Sequence, residues 1–182
     1  MATIYLVRHG KAAAGFDSHL DPGLDELGRT QAAATADDLA RLGPLPIFSS
    51  PLARARQTAA PLAKRWGVRP VIENRVAEIP SPTEDLPERA EWLRGVMADC
   101  WSNLDPGLRH WRQAMIACVN SYAEDCVVFC HFVAINVIVG AATGTDELIT
   151  FRPDNGSVTT IGTDGGRLRL IELGREADTR IN

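Results

Sequence analysis

The stretch Thr3-Ile4-Tyr5-Leu6-Val7-Arg8-His9-Gly10 decides the fold, because an apolar, β-branched run ends abruptly in arginine, histidine and glycine. The apolar part predicts a buried strand over residues 3–8. Functional side chains in open α/β sheets lie just beyond the carboxyl ends of strands. Arg8 and His9 are therefore candidate site residues, although a solvent-exposed arginine and histidine at the end of any strand would leave the same tripeptide.

Strand-like and helix-like segments alternate along the rest of the chain, which is typical of an α/β fold with a mainly parallel sheet covered on both faces. The pattern predicts helices over residues 27–42, 52–66, 87–102 and 108–122, and strands over residues 46–48, 68–72 and 127–130. Two further strands, at residues 157–163 and 168–173, flank Asp164-Gly165-Gly166 and predict a terminal hairpin.

Length and composition narrow the class of protein. The chain has 182 residues, 45% of them hydrophobic, which predicts one domain over residues 1–174 with a loose, charged tail over residues 175–182. A net charge of -4 gives no reason to expect nucleic acid or an anionic membrane as a partner. The uncharged stretch at residues 126–142 is shorter than the ~20 residues of a spanning helix, so we interpret it as strand, turn and helix.

The cysteines and the N-terminus favour a cytoplasmic location. The four cysteines lack the paired C-x-x-C spacing of a zinc site and the density of a disulfide scaffold, so we expect reduced and mostly buried thiols. The N-terminal run has no basic segment, long apolar stretch or cleavage site of a signal peptide.

Two more strand ends carry candidate site residues. Ser49-Ser50-Pro51 leads from a strand into a helix, so that Arg54 lies in the first helical turn, where free N–H groups favour an anion and Ser49 or Ser50 can cap the helix. His131 ends the apolar run at residues 127–130. Taken alone, the Arg54 segment also fits a capped surface helix with solvated arginines. His131 alone also fits a buried histidine of the core.

Together, the three strand ends predict a phosphoryl-transfer site. The guanidinium groups of Arg8 and Arg54 can bind the oxygens of a phosphoryl group, while an imidazole can attack phosphorus in line. Zinc is the competing use of His9 and His131, but two neighbouring arginines would repel the cation, and no H-x-x-x-H spacing is present. We therefore expect neither a metal nor another cofactor.

At this point the sequence resembles the histidine phosphatase superfamily, also called the phosphoglycerate mutase-like family. The resemblance covers nearly the whole chain and is carried by four blocks in the family's order, at residues 6–10 (LVRHG), 24–32 (LDELGRTQA), 49–59 (SSPLARARQTA) and 127–131 (VVFCH). It implies a three-layer α/β/α sandwich with a mainly parallel central sheet.

The resemblance also implies a role for each candidate. His9 would be the nucleophile that forms a phosphohistidine, and Arg8, Arg54 and His131 would complete the phosphate pocket. Glu78 stands where the family often has a glutamate that donates a proton to the leaving group, with Glu84 and Asp85 nearby in sequence and an ion pair with Arg75 as the competing explanation. The substrate would be a small phosphorylated metabolite or a phosphoprotein.

Departures from the family pattern argue against a mutase. Lys11 stands where mutases usually have an acidic residue, and Phe132 follows His131 where the family usually has glycine, which places Phe132 at the substrate pocket. The segment between Ile79 and Asp125 is short for a family whose substrate-covering insertions fall there, which predicts a site open to water.

The sequence therefore favours phosphomonoester hydrolysis through a phosphohistidine intermediate on His9. A phosphohistidine-protein phosphatase is the main alternative enzyme, suggested by Arg8-His9-Gly10-Lys11-Ala12 and the modest chain length. A phosphate-binding scaffold without turnover is the alternative from another class. A dinucleotide-binding domain lacks its G-x-G-x-x-G turn after the first strand.

Overall fold

The computed structural model describes residues 1–164 and 166–177, which contain a six-stranded sheet. The strands are β1 (Ala2–Arg8), β2 (Ile47–Ser49), β3 (Val71–Ile72), β4 (Cys126–Cys130), β5 (Val158–Asp164) and β6 (Arg167–Glu172). They lie in the order β3-β2-β4-β1-β5-β6, with the first four parallel and β5 antiparallel to both of its neighbours. The mainly parallel sheet and the terminal hairpin are confirmed.

Helices cover both faces of the sheet. They are α1 (Glu26–Ala40), α2 (Ala53–Trp66), α3 (Leu86–Val96), α4 (Pro106–Asn120) and α5 (Phe132–Thr143). Because successive strand residues point to opposite faces, Leu6 packs in the core that includes α4 and α5, whereas Val7 packs in a second core with α1 and α2. The α/β/α sandwich is confirmed, and no helix among the described residues is long and apolar enough to cross a membrane.

Two predicted elements are shorter than the sequence indicates. The strand predicted over residues 68–72 pairs only at Val71–Ile72, and Pro70 immediately before it has no N–H to donate to a sheet. The helix predicted over residues 87–102 ends at Val96, after which the carboxylate of Asp99 accepts hydrogen bonds from the Cys100 N–H and the Asn103 amide. A side chain that bonds local backbone in this way favours a turn over helix.

The segment expected to be loose from residue 175 is paired at its start. Asp154 N–H donates to the Arg175 carbonyl and Ala177 N–H donates to the Arg152 carbonyl, at 2.8 and 2.9 Å. The Arg175 guanidinium also contacts the Asp154 carboxylate at 3.1 Å. Residues 175–177 are therefore attached to the loop that precedes β5, and the remainder of the expected tail, residues 178–182, lies outside the described residues.

The register of the parallel strands aligns their carboxyl ends. Arg8 of β1 is opposite Cys130 of β4, and Ser49 of β2 is opposite Phe129 of β4. The pairing continues beyond the strands, because His9 N–H donates to the Cys130 carbonyl at 3.1 Å. The residues that follow these three strands consequently meet at one edge of the sheet.

Two glycines allow α1 to approach the end of β1. A Cβ on Gly10 would collide with the backbone carbonyl of Gly28, and a Cβ on Gly28 would collide with that of Lys11. The obstacle is backbone in both cases, so it cannot move aside as a flexible side chain would. The glycines of the LVRHG and LDELG blocks are thus packing partners of one another.

We expect Gly28→Ala to lower the free energy of unfolding by roughly 1–3 kcal/mol, because the added methyl group must push β1 and α1 apart. Gly95→Ala in α3 is the matched control, since a Cβ there meets nothing within 4 Å and should raise the free energy of unfolding by up to about 1 kcal/mol. Urea denaturation measures both. Equal effects of the two substitutions would contradict the close approach.

Candidate active site

His9 is held with one ring nitrogen bonded and the other facing the site. Its Nδ1 lies 2.7 Å from the Gly10 carbonyl, which can only accept a hydrogen bond, so Nδ1 carries the proton. Its Nε2 therefore has a lone pair and accepts from Arg54 Nε at 3.2 Å. The side chain is buried, with 7% of the residue exposed. Burial and the positive charges of Arg54 and Arg8 lower the pKa of His9 well below its ordinary value, which keeps the imidazole neutral.

Helix α2 brings a second guanidinium to the end of β1. Arg54 is the second residue of α2 and is buried, with its pKa lowered by that burial. Four residues later, on the same face of α2, Thr58 accepts a hydrogen bond from Gly10 N–H at 3.0 Å and donates to the Arg54 carbonyl at 2.7 Å. This pair of bonds fixes the distance between His9 and Arg54.

Arg8 is oriented by the loop that precedes β5. One of its Nη atoms donates to the Pro153 carbonyl at 2.8 Å, and its Nε is buried without a hydrogen-bond partner among the described residues. The guanidinium lies 5.0 Å from the centroid of the Phe132 ring. Asn155 in the same loop donates to the His9 carbonyl at 2.9 Å. The loop thus holds both residues of the strand end, and Phe132 contacts an arginine of the site.

His131 lies beside His9, with ring centroids 5.2 Å apart. It is completely buried, and burial together with the positive charges of Arg54 and Arg8 lowers its pKa well below the ordinary value. Its Nε2 is 2.7 Å from the hydroxyl of Ser50, while its Nδ1 has no partner among the described residues. Ser50 therefore orients His131 and leaves one ring nitrogen unused.

Of the three carboxylates considered from sequence, Glu78 faces this group. Its Oε2 accepts from Val133 N–H at 3.4 Å, in the first turn of α5, and burial raises its pKa despite the opposing charges of Arg54 and Arg8. Glu84 is exposed and Asp85 caps α3. The competing prediction, an ion pair between Glu78 and Arg75, is wrong, because Arg75 pairs with Glu73 at 2.7 Å.

The cap of α2 differs from the prediction. Neither Ser49 nor Ser50 caps the helix: Ser50 Oγ accepts from Leu52 N–H, and the first helical N–H, that of Ala53, donates to the carboxylate of Asp21 at 2.8 Å. The same carboxylate lies 3.8 Å from the Arg54 guanidinium. Sequence reasoning missed Asp21 because it belongs to a distant loop.

Sequence reasoning also missed Thr58 and Asn155. The spacing of four between Arg54 and Thr58 was a usable signal, since residues four apart share a helix face. The site is also less open than the short segment after Ile79 suggests, because its imidazoles and the Arg54 side chain are almost entirely buried.

The protein is an α/β/α sandwich that gathers two imidazoles, two guanidinium groups and a carboxylate at the ends of its parallel strands, which is the class of site suited to binding and transferring a phosphoryl group. The chain belongs to the histidine phosphatase superfamily (branch 1), whose sequence model matches residues 4–176. YhfR of Bacillus stearothermophilus has the same fold, with a TM-score of 0.75 at 20% identity over 94% of this chain and 96% of that one.

Two relatives by sequence are phosphatases by name. The chain is 39% identical over 79 residues to glucosyl-3-phosphoglycerate phosphatase of Mycobacterium tuberculosis, covering 41% of this chain and 35% of that protein. It is 26% identical over 205 residues to phosphoserine phosphatase 1 of Hydrogenobacter thermophilus, covering 95% of this chain and 92% of that protein. The chain spans about a third or less of the length of the first curated relatives that it matches.

We expect Asp21→Ala to lower the free energy of unfolding by about 1 kcal/mol, because α2 loses the acceptor for its first N–H. Asp21→Asn is the matched variant, since it keeps an acceptor oxygen and removes only the charge, and an exposed ion pair contributes little. Urea denaturation of both variants checks this. Equal losses in the two variants would mean that Asp21 stabilises the protein through its ion pair with Arg54 and not through the hydrogen bond from Ala53 N–H.

Proposed function

We propose that the protein is a phosphatase that hydrolyses a phosphomonoester through a phosphohistidine on His9. The observation that carries the proposal is the hydrogen bond from His9 Nδ1 to the Gly10 carbonyl, which leaves the Nε2 lone pair directed at Arg54. An anion bound by Arg54 meets this lone pair. The pKa of His9, lowered by burial, keeps the lone pair free at neutral pH.

Three hydrogen-bond donors support the binding of a phosphoryl group next to His9. The unpartnered Nε of Arg8 and the guanidinium of Arg54 would neutralise its oxygens. If the Ser50 hydroxyl donates to His131 Nε2, the unpartnered Nδ1 of His131 carries a proton that it can donate to a third oxygen. Each donor is buried in a protein scaffold that orients it before substrate arrives, which favours charge stabilisation in the transition state.

The reaction then takes two steps. His9 Nε2 attacks phosphorus in line, the bond from phosphorus to the ester oxygen breaks, and Glu78 gives its proton to the departing alkoxide. Water next attacks the phosphohistidine, Glu78 accepts the proton of that water, and the electron pair of the P–N bond returns to Nε2 as inorganic phosphate leaves. The raised pKa of Glu78 supports the first role, since it keeps more of the carboxyl protonated.

The residue at position 11 supports water as the acceptor. The Lys11 ammonium pairs with Asp25 at 3.2 Å, so this position offers a cation where mutases have an acidic group. We therefore favour hydrolysis over mutase transfer. A phosphohistidine-protein phosphatase remains the second candidate, because a phosphoramidate leaves without much help from an acid and the same pocket would serve it.

The phosphohistidine can be trapped. After acid-quench mixing with a radiolabelled phosphomonoester, we expect label that resists base and is lost in acid, located at His9. His110→Ala, a substitution of an exposed histidine on α4, should label as the parent does, whereas His9→Ala should not label. Label at another residue, or turnover by His9→Ala, would refute the nucleophile assignment.

Replacing the acid tests Glu78. We expect Glu78→Gln to slow hydrolysis of an alkyl phosphate by about 100-fold or more, because its leaving alkoxide needs a proton. p-Nitrophenyl phosphate and phosphohistidine should be much less affected, since their leaving groups depart with little protonation. Glu84→Gln is the control, because Glu84 is exposed and should change neither rate.

The pH profile gives a second test of Glu78. As the acid, Glu78 must be protonated, so kcat for the alkyl phosphate should fall as pH rises through its raised pKa. Glu78→Gln should remove this alkaline limb. A limb that persists unchanged in the variant would assign the proton donor to another group.

A further inference from the structure

Asn136 is a polar side chain in the middle of an otherwise apolar helix. It is completely buried in α5, where the other buried residues are all apolar or glycine. Burying an amide costs free energy unless its donors and its acceptor are bonded. A helix that only had to pack against the sheet would be as stable with an apolar residue at this position, so the amide indicates a further role.

The amide of Asn136 joins α5 to the loop that precedes β5. Its Oδ1 accepts hydrogen bonds from Thr150 N–H at 2.8 Å, from the Thr150 hydroxyl at 3.1 Å and from Phe151 N–H at 3.1 Å. Its Nδ2 donates to the Phe132 carbonyl at 3.0 Å. Because backbone N–H groups only donate and a carbonyl only accepts, these partners fix the orientation of the amide. One side chain thus connects the loop to the first turn of α5.

Both connected segments lead to groups that would bind phosphate. Helix α5 begins directly after His131. Two residues after Phe151, the Pro153 carbonyl accepts the 2.8 Å hydrogen bond from Arg8. A proline ring restricts its own backbone and that of the residue before it, so the loop is stiff between the Asn136 contact and this carbonyl. A displacement at the amide is therefore transmitted to the guanidinium.

We propose that Asn136 is a positioning residue that fixes the Arg8 guanidinium relative to His131, and so sets the affinity of the site for phosphate. The inference rests on the phosphate pocket of the proposed function and adds the residue that aligns its parts. Asn136 acts through the loop and the Pro153 carbonyl. The pairing with residues 175–177 joins the same loop to the segment after β6, whereas Asn136 joins it to the helix that follows His131.

A double-mutant cycle with Arg8 tests the proposal, with inorganic phosphate as the probe and calorimetry as the measurement. Asn136→Ala should raise the Kd for phosphate by about tenfold, the order of one charge-assisted hydrogen bond. In the Arg8→Met background the same substitution should change the Kd by less than about twofold, because the guanidinium that it displaces is absent. Equal increases in the two backgrounds, or no increase in either, overturn the proposal.

Thr163→Val separates positioning from stability. Thr163 is buried towards the other end of β5, and its hydroxyl donates to the Tyr122 carbonyl at 3.2 Å. Losing this bond should lower the free energy of unfolding and leave the Kd for phosphate as it is in the parent protein. If Thr163→Val and Asn136→Ala raise the Kd equally, the effect belongs to lost stability and the proposal is overturned.

Hydrogen exchange in the parent protein keeps the proposal testable if Asn136→Ala does not fold. Linkage is reciprocal, so phosphate bound at the site must strengthen the contact that positions the guanidinium. Saturating phosphate should therefore slow exchange of the Thr150 and Phe151 N–H groups by about tenfold. Exchange of Leu148 N–H, which is bonded elsewhere, should slow much less. Equal slowing of all three groups, or of none, overturns the proposal.

The outcomes distinguish this inference from the proposed function. Phosphate binding that depends on Asn136, without hydrolysis of any ester or label on His9, would overturn the phosphatase and support the positioning role. Hydrolysis through labelled His9, with a Kd that Asn136→Ala leaves unchanged, overturns the positioning role alone. Failure of the parent protein to bind phosphate also overturns the positioning role, and the label on His9 then decides the nucleophile independently.

Discussion

The shared register of β1, β4 and β2 is the constraint on which the site depends. Because Arg8 lies opposite Cys130, and Ser49 opposite Phe129, the residues following the three strands are neighbours whatever side chains they carry. The parallel arrangement thereby brings together residues more than 80 positions apart, such as Ser50 and His131. A one-residue slip of any of these strands would turn its functional side chain to the other face.

Positive charge and burial act in the same direction on the histidines. Removing His9 and His131 from water disfavours their protonated forms, and the neighbouring guanidinium groups add repulsion, so both pKa values fall. The arginines stay charged because their ordinary pKa is far higher. The site therefore combines neutral imidazoles with permanent cations, an arrangement that suits a nucleophile directed at an anion.

The sequence predicted the strand ends well because their signal is local. An apolar run followed by Arg8 and His9, or by His131, specifies both a buried strand and where it stops. Asp21 as the cap of α2 and the stacking of Phe16 on Arg89 join segments distant along the chain, and no periodicity encodes such contacts. The end of α3 was misplaced for a similar reason, since Asp99 bonds its neighbours in a way that helix propensity does not describe.

The attachment of residues 175–177 to residues 152–154 has a consequence for proteolysis. Pro153, between the two residues held by that pairing, supplies the carbonyl that orients Arg8. A protease that cut after Gly174 would sever the covalent link of this short strap to β6 without touching any residue of the site. Residues 175–177 would then be held only by their non-covalent contacts with residues 152–154, so the support of the Pro153 carbonyl that orients Arg8 would no longer be tied covalently to the sheet.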